Sequence, residues 1–366
     1  MRIAQVTPLY ESVPPKLYGG TERVVSHLTE ELVRLGHDVT LFASGDSETK
    51  ARLVPACDVA LWRDPNCREV LPHHVRLMEL VFREARKFDV IHFHCDYLHF
   101  PLLRRQATPG VTTLHGLVNP HDLQPLFDLY GETALVSVSD SQRRPMPAAN
   151  WQATVYHGLP RDLHTFRQRG GDYLLFVGRV SPDKRLDRAI EIARQTGRQL
   201  KVAAKIYDED RAYYHNSIEP LLRESKSFVE FIGEVGGKDK DELMGNAYAL
   251  LFPIDWPEPF GLVMIESLAC GTPVIAWKNG SVPEVLAHGE TGFVVDTIEE
   301  AVKAVPDVAS LSRHACRQVF EQRFDSRRMA RDYVKLYSRL MGELKQTTQK
   351  FHRIGGPSVA WGIVAQ

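Results

Sequence analysis

Cysteine is scarce in this 366-residue sequence: five residues, at 57, 67, 95, 270 and 316, and no C-x-x-C pair. An odd, scattered set fits reduced thiols in a cytoplasm rather than a disulfide framework. Charge of one sign is missing too, the formal net charge being -1. Residues 1–165 carry 17 Lys+Arg against 19 Asp+Glu, and residues 166–366 carry 28 against 27. Neither half is basic, so nucleic acid is not an expected partner. No apolar run approaches the roughly 18 residues of a membrane helix. The start, MRIAQVTPLY, lacks a charged leader with a cleavage site, so a cytoplasmic location is expected.

What is present is ordinary globular material, 43% hydrophobic and 25% charged, at a length that predicts two domains. RIAQVTPL reads as a strand ending at Pro8. The next segment reads as a helix with Thr21 as N-cap, an apolar stripe of Val24, Val25, Leu28, Leu32 and Leu35, and Gly36 as its stop. DVTLFAS, DVIHFHC, GVTTLHG and ALVSVSDSQ read as further strands, with a helix over VRLMELVFREARKF. Residues 157–173 are polar, rich in Gly and Arg, and read as a linker. The alternation then restarts from YLLFVGR to TPVIAW, and a long helix follows at about 326–345. Alternating strands and helices predict parallel sheets with right-handed crossovers. Two such units imply a cleft, with ligands beyond the carboxyl ends of the strands.

The strand-to-helix turns therefore hold the candidates. YGGTERVV places Gly19 and Gly20 before a helix N-terminus, which suits an anion or a sugar; it is not the G-x-G-x-x-G of a dinucleotide site. FVGRVSPDKRLD puts Gly178 and Arg179 after a strand and Lys184 and Arg185 at the next helix start, basic groups able to converge on a diphosphate. His115 ends a strand; alone it reads better as a satisfied, partly buried histidine than as an acid, base or ligand contact. HFHCDYLH (92–99) raises a metal reading, but no second ligand segment is visible and no metal is expected. In PEPFGLVMIE, prolines 257 and 259 keep Glu258 in a loop, while Glu266 falls in the second turn of a helix starting near Leu262. The two carboxylates share a side of that helix, with N–H groups of Phe260, Gly261 and Leu262 between them. NGSVPEVLAHGETGFVVD is turn chemistry on its own.

The order of these motifs resembles the retaining glycosyltransferases of family 4. GGTERVV, FVGRVSPDKRLD, PEPFGLVMIESLACGTPVIA and GSVPEVLAHGETGFVV carry the likeness to about residue 340, and Glu258 to Glu266 matches the E-x7-E signature. The resemblance implies the GT-B fold, two Rossmann-like doubly wound parallel-sheet α/β domains facing across a cleft. It divides the chain at 1–160, on the acceptor side, and 161–325, which binds the nucleotide-sugar. Residues 326–366 would pack back toward the first domain. It implies Arg179 and Lys184 on the diphosphate, Glu258 on the transferred sugar, and Glu266 on the ribose. Gly20 would approach phosphate and His115 the reacting centre. Ile232 and Gly233 would face the base, and Lys205 would add a phosphate contact.

No cofactor or metal is implied, since no Asp-x-Asp of the metal-dependent type is read. The donor is expected to be a UDP-hexose, with GDP-mannose next. The acceptor is a sugar, glycan or small molecule bound by loops such as 10–20, 56–75 and 117–130. A sucrose-synthase-like or phosphorylase-like enzyme and a non-catalytic sugar-nucleotide-binding protein stay open. So do weak association with a membrane surface and the oligomeric state.

Overall fold

The computed structural model describes residues 1–17 and 19–353, with side chains to residue 343. The docking expected of the tail after Lys350 lies outside the residues with described side chains. In the first unit, strands β1 (Arg2–Val6), β2 (Asp38–Ser44), β3 (Arg52–Cys57), β4 (Val90–Phe93), β5 (Gly110–Thr113), β6 (Ala134–Ser137) and β7 (Trp151–Thr154) form one sheet in the order 3-2-1-4-5-6-7. In the second, β8 (Leu174–Arg179), β9 (Leu200–Lys205), β10 (Val229–Phe231), β11 (Ala249–Phe252), β12 (Val274–Trp277) and β13 (Gly292–Val295) follow the order 10-9-8-11-12-13. Every pairing is parallel, as in Ile3 with Val39 and Val90, or Leu250 with Val274. The strands read as near-continuous apolar runs because helices cover both faces. β3 and β7 escape the sequence reading: RLVPAC is an edge strand interrupted by a proline, and WQAT is a four-residue edge strand without apolar alternation.

Both sheets reverse strand order between their first and fourth strands, and each reversal opens a crevice at the carboxyl ends. Of the helices α1 (Gly20–Arg34), α2 (Leu71–Glu84), α3 (Leu186–Thr196) and α4 (Gly237–Gly245), α1 and α4 line the cleft between the crevices. A fifth, α5 (Leu262–Cys270), starts where the apolar run predicts. Val24, Val25, Leu28 and Leu32 on α1 are buried, each contributing about 1.5–3 kcal/mol. Thr21 is not the cap of α1; Gly19 is, with φ 149° and no side-chain bond to the helix.

The polar stretch 157–173 does carry the chain across. Leu159 bridges Asp325, so the two crossings lie side by side. A Cβ on Gly158 would stand 2.7 Å from the Asp325 carbonyl oxygen, which requires glycine there. The last helix, α6 (Ser326–Arg353), then buries Met329, Ala330, Tyr333, Leu336 and Tyr337 against Ile3, Val24, Val90 and Val136 of the first unit. Glu284 of the second unit also reaches the first, accepting hydrogen bonds from the N–H groups of Asp140 (2.7 Å) and Ser141 (2.6 Å) and from the Tyr156 hydroxyl (3.1 Å). Among the described residues no helix is long and apolar enough to cross a membrane.

Candidate active site

Two helices away from the interdomain cleft begin on side-chain caps, Thr297 accepting from Glu300 N–H and Ser312 from Ala315 N–H, although no such bond precedes α2 at Val70 or α3 at Arg185. The three that begin at the cleft have no side-chain cap. α1, α4 and α5 start from Gly19, Gly236 and Gly261, none of which has a side chain to bond the first turn. Their N–H groups are left for something else, and helix N-termini favour anions. Gly261 sits at φ 79°, and a Cβ there would meet Met264 at 2.6 Å, so the chain can only turn into α5 on glycine. A Cβ on Gly20 would meet only Leu262, at 3.7 Å, so protein packing alone does not demand that glycine.

The cleft measures about 1040 Å³ and is lined by residues of both units. On the second unit's wall, Lys184 Nζ lies 2.6 Å from Glu258 Oε2, and the Trp256 indole N–H donates to the same oxygen at 3.0 Å. The Lys184 ammonium also sits 4.5 Å from the Trp256 ring centre. Eight residues on, Glu266 is 4% exposed and meets Lys240 Nζ at 2.6 Å. Burial works to raise the Glu266 carboxyl, but Lys240 foremost holds it down to about 2. The helical spacing thus brings both carboxylates to one cleft, each beside its own lysine.

The basic residues occupy turns rather than a helix start. α3 begins at Leu186; Arg185 precedes it at φ 54°, paired with Asp187 (2.7 Å) and Asp255 (2.9 Å). Arg179 leaves β8 into a ring of carboxylates: Glu209 at 3.1 Å, Asp210 at 3.2 Å and Asp183 at 3.6 Å. Lys205 lies 3.6 Å from Glu234. In this structure these basic groups are paired with acidic side chains. Gly178 lines the cleft, as do Phe260, Gly261 and Leu262. Ile232 and Gly233 do not: Ile232 N–H bonds Val202 O and Gly233 O accepts from Ala204 N–H, which ties both into the sheet. The wall begins at Glu234 and Val235.

The turn stretch after β12 buttresses this site. A Cβ on Gly280 would fall 2.3 Å from the backbone N and O of Glu258. Ser281 donates from its N–H to Glu258 O (2.9 Å) and from its hydroxyl to Phe260 O (2.8 Å).

On the first unit's wall, His115 Nε2 meets His94 Nδ1 at 2.9 Å, and His94 Nε2 meets Gln5 Oε1 at 2.9 Å. His157 stacks on His115 at 5.3 Å and packs edge-on against Phe260 at 4.7 Å, joining the two walls. Burial pushes His115 down to about 4 and lowers His94 and His157 well below the usual imidazole range, so these imidazoles are neutral at pH 7. Glu22, in the first turn of α1, is pushed up to about 7 by burial, with Glu11 adding to the rise.

His92 and His94 have both ring nitrogens in hydrogen bonds, His92 to Tyr337 and Thr113, whereas His99 bonds Thr112 through Nε2 and leaves Nδ1 buried without a partner among the described residues. Among the described residues the one trio spaced for a metal is His164, Asp241 and Cys270, with ligand atoms within 4.8 Å. Asp241 there accepts from His164 and the Thr165 N–H, and burial raises the Cys270 thiol. The sequence does contain Asp-x-Asp, at 208–210 and 239–241; Asp210 pairs with Arg179 and Asp241 with His164. Reading the sequence missed Lys240, Trp256, Glu22 and His157. Lys240 lies 26 positions from its partner, beyond any local spacing, whereas Glu22 stands beside the noted glycines.

Two family models match the chain: Glycosyltransferase Family 4 over residues 18–151 and Glycosyl transferases group 1 over residues 165–321. Glycogen synthase of Mycobacterium tuberculosis is 26% identical, with 92% of this chain and 94% of that protein covered. The crystal structure of a glycosyltransferase involved in avilamycin A biosynthesis superposes with TM-score 0.69 at 26% identity, covering 93% and 98% of the two chains. That of Anabaena Alr3699/HepE in complex with UDP superposes with TM-score 0.71 at 17% identity, covering 92% and 100%.

Proposed function

The chain belongs to the GT-B glycosyltransferases, and from that premise we propose that it is a retaining, metal-independent hexosyltransferase using a nucleotide-sugar donor, UDP-hexose first and GDP-mannose next. One observation carries this reading. Lys184–Glu258 and Lys240–Glu266 stand on one cleft wall, where the glycine-capped N-termini of α4 and α5 open, and that of α1 opens from the facing wall. Free N–H groups with lysines suit a diphosphate; paired carboxylates suit hydroxyls. HepE, of the same fold, was solved with UDP, a precedent by fold alone.

In this reading the diphosphate takes the N–H groups of α5 and α1, with Lys184, Arg179 and Lys205 around it. Arg179 exchanges its contacts with Glu209 and Asp183 for phosphate oxygens. Glu266 accepts from ribose hydroxyls and Glu258 from the transferred hexose. The acceptor oxygen bonds to the anomeric carbon on the face the diphosphate leaves. The sugar–phosphate C–O bond breaks with its electron pair on the phosphate, and the hydroxyl proton passes to that phosphate. Preorganised cations stabilise the charge as it develops. A double displacement would need a free carboxylate nucleophile across the sugar, and Glu258 is committed to Lys184 and Trp256. His115, neutral at pH 7, serves as a hydrogen-bond partner rather than a charged acid.

The test is NMR of the sugar released or transferred from UDP-glucose in EDTA. The first anomer formed should keep the donor's configuration. Inversion, or a strict need for Mg²⁺, would contradict the reading.

A further inference from the structure

The first sheet has its own crevice where strand order reverses, between β1 and β4. Tyr10 lies just beyond β1 and Asp96 just beyond β4, and both line the interdomain cleft. Trp62 joins them there from the loop after β3. Its side chain is 57% exposed, unusual for an indole. The Trp62 and Tyr10 rings stand 5.0 Å apart at 33°, and Tyr10 is backed by His74 at 5.0 Å. Backbone hydrogen bonds hold the pair: Leu61 N–H to Leu9 O (2.9 Å) and Trp62 N–H to Tyr10 O (3.1 Å). Asp96 adopts φ 50°, a conformation costly for a residue with a Cβ. Its carboxylate makes no hydrogen bond or ion pair among the described residues.

We propose that Trp62, Tyr10 and Asp96 form the acceptor subsite, and that the acceptor is a pyranose whose apolar face lies on the aromatic pair while its hydroxyls donate to Asp96. A pyranose ring has C–H groups on one face and hydroxyls on its rim, and this wall offers those two complements. A purely aliphatic alcohol would leave the Asp96 carboxylate unsatisfied as it was desolvated, which is costly. The proposal rests on the glycosyltransferase reading, with the donor on the opposite wall.

Saturation-transfer NMR tests it on the full chain, with methyl gluco-, galacto- and mannopyranosides and N-acetylglucosamine as probes, n-octanol as the aliphatic control, and UDP in the same tube. At least one pyranoside should be saturated, most strongly at the C–H protons of one face. Trp62→Ala should weaken that binding about tenfold, and Trp62→Phe should keep most of it. Asp96→Asn, which tolerates the same backbone, should weaken it about tenfold as well. UDP saturation should not change in any variant. Pyranoside binding indifferent to Trp62→Ala, or saturation of n-octanol alone or of no probe, overturns the proposal. UDP saturated without any pyranoside sinks this subsite and spares the donor reading; a Trp62-dependent pyranoside without UDP does the reverse.

Discussion

The two walls of the cleft are built from different chemistry. The second unit presents charge held in pairs: Lys184 on Glu258, Lys240 on Glu266, Arg179 among three carboxylates. The first presents neutral imidazoles, His94 and His115, and an aromatic pair. Among the described residues, nine of the ten large hydrophobic side chains left exposed also belong to the first unit, from Leu17 to Leu129. Cations parked on carboxylates avoid the cost of standing unpaired and can exchange for a ligand of fixed charge. Neutral rings make no such demand on their ligand. In the proposed reading one wall takes the constant diphosphate, and the other takes an acceptor met by the aromatic pair and the Asp96 carboxylate.

The largest expected effect breaks the charged wall. Glu258→Ala should cut kcat by about 10²–10³, or roughly 3–4 kcal/mol of transition-state stabilisation, while UDP affinity stays nearly intact. Steady-state kinetics beside nucleotide titration separate the two. Lost UDP affinity with normal turnover would move Glu258 off the transferred sugar.

Acid should break the other wall. His115 is held near 4, against about 6.5 in the unfolded chain. The unfolded state therefore takes up the proton first, so stability present above pH 6.5 is lost as pH falls toward 4. His115 alone accounts for roughly 3 kcal/mol, and His27, held at about 3, adds in the same direction. Hydrogen exchange at pH 7 and pH 5 should show protection lost first in residues 1–155. Uniform loss across both sheets would remove the contrast.

Glu22 has the opposite sign. Its carboxyl sits at about 7, against about 4.5 unfolded, so the folded state holds the proton and stability falls as pH rises from 4.5 to 7. Glu22→Gln should raise stability by about 2–3 kcal/mol at pH 8 and change little at pH 4. Equal melting shifts at both pH values would show that its environment is not what sets it apart.

The smallest effect sharpens the link between the loops of the charged wall. Gly280→Ala forces a methyl onto the Glu258 backbone and should cost about 1–3 kcal/mol in thermal denaturation, with kcat falling more than UDP affinity. Unaltered kinetics would make Gly280 a turn residue only.

The same contrast decided how much could be read beforehand. The carboxylates of the charged wall are contiguous in sequence: Glu258, Gly261 and Glu266 lie in one loop and helix, so proline, glycine and helical spacing announce them. α5 begins and ends where its apolar run predicts because glycines at 261 and 271 fix both ends. Lys240 was not legible, since its pairing needs the packing of α4 beside α5. On the first wall, Tyr10, Trp62 and Asp96 come from three loops brought together only by the order of β1, β3 and β4. Loop chemistry of that kind has no period and no spacing to read. Ile232 and Gly233 follow β10 directly and keep backbone hydrogen bonds to Val202 and Ala204 of β9, a pairing that local spacing does not reveal.

Calorimetric titration with UDP, GDP and ADP in EDTA tests the central claim most directly. The account predicts tight binding of one nucleotide, UDP first, without metal and weakened by Lys184→Ala. Binding of none, or binding that appears only with added Mg²⁺, would contradict a donor site built from Lys184, Arg179 and the N-terminus of α5.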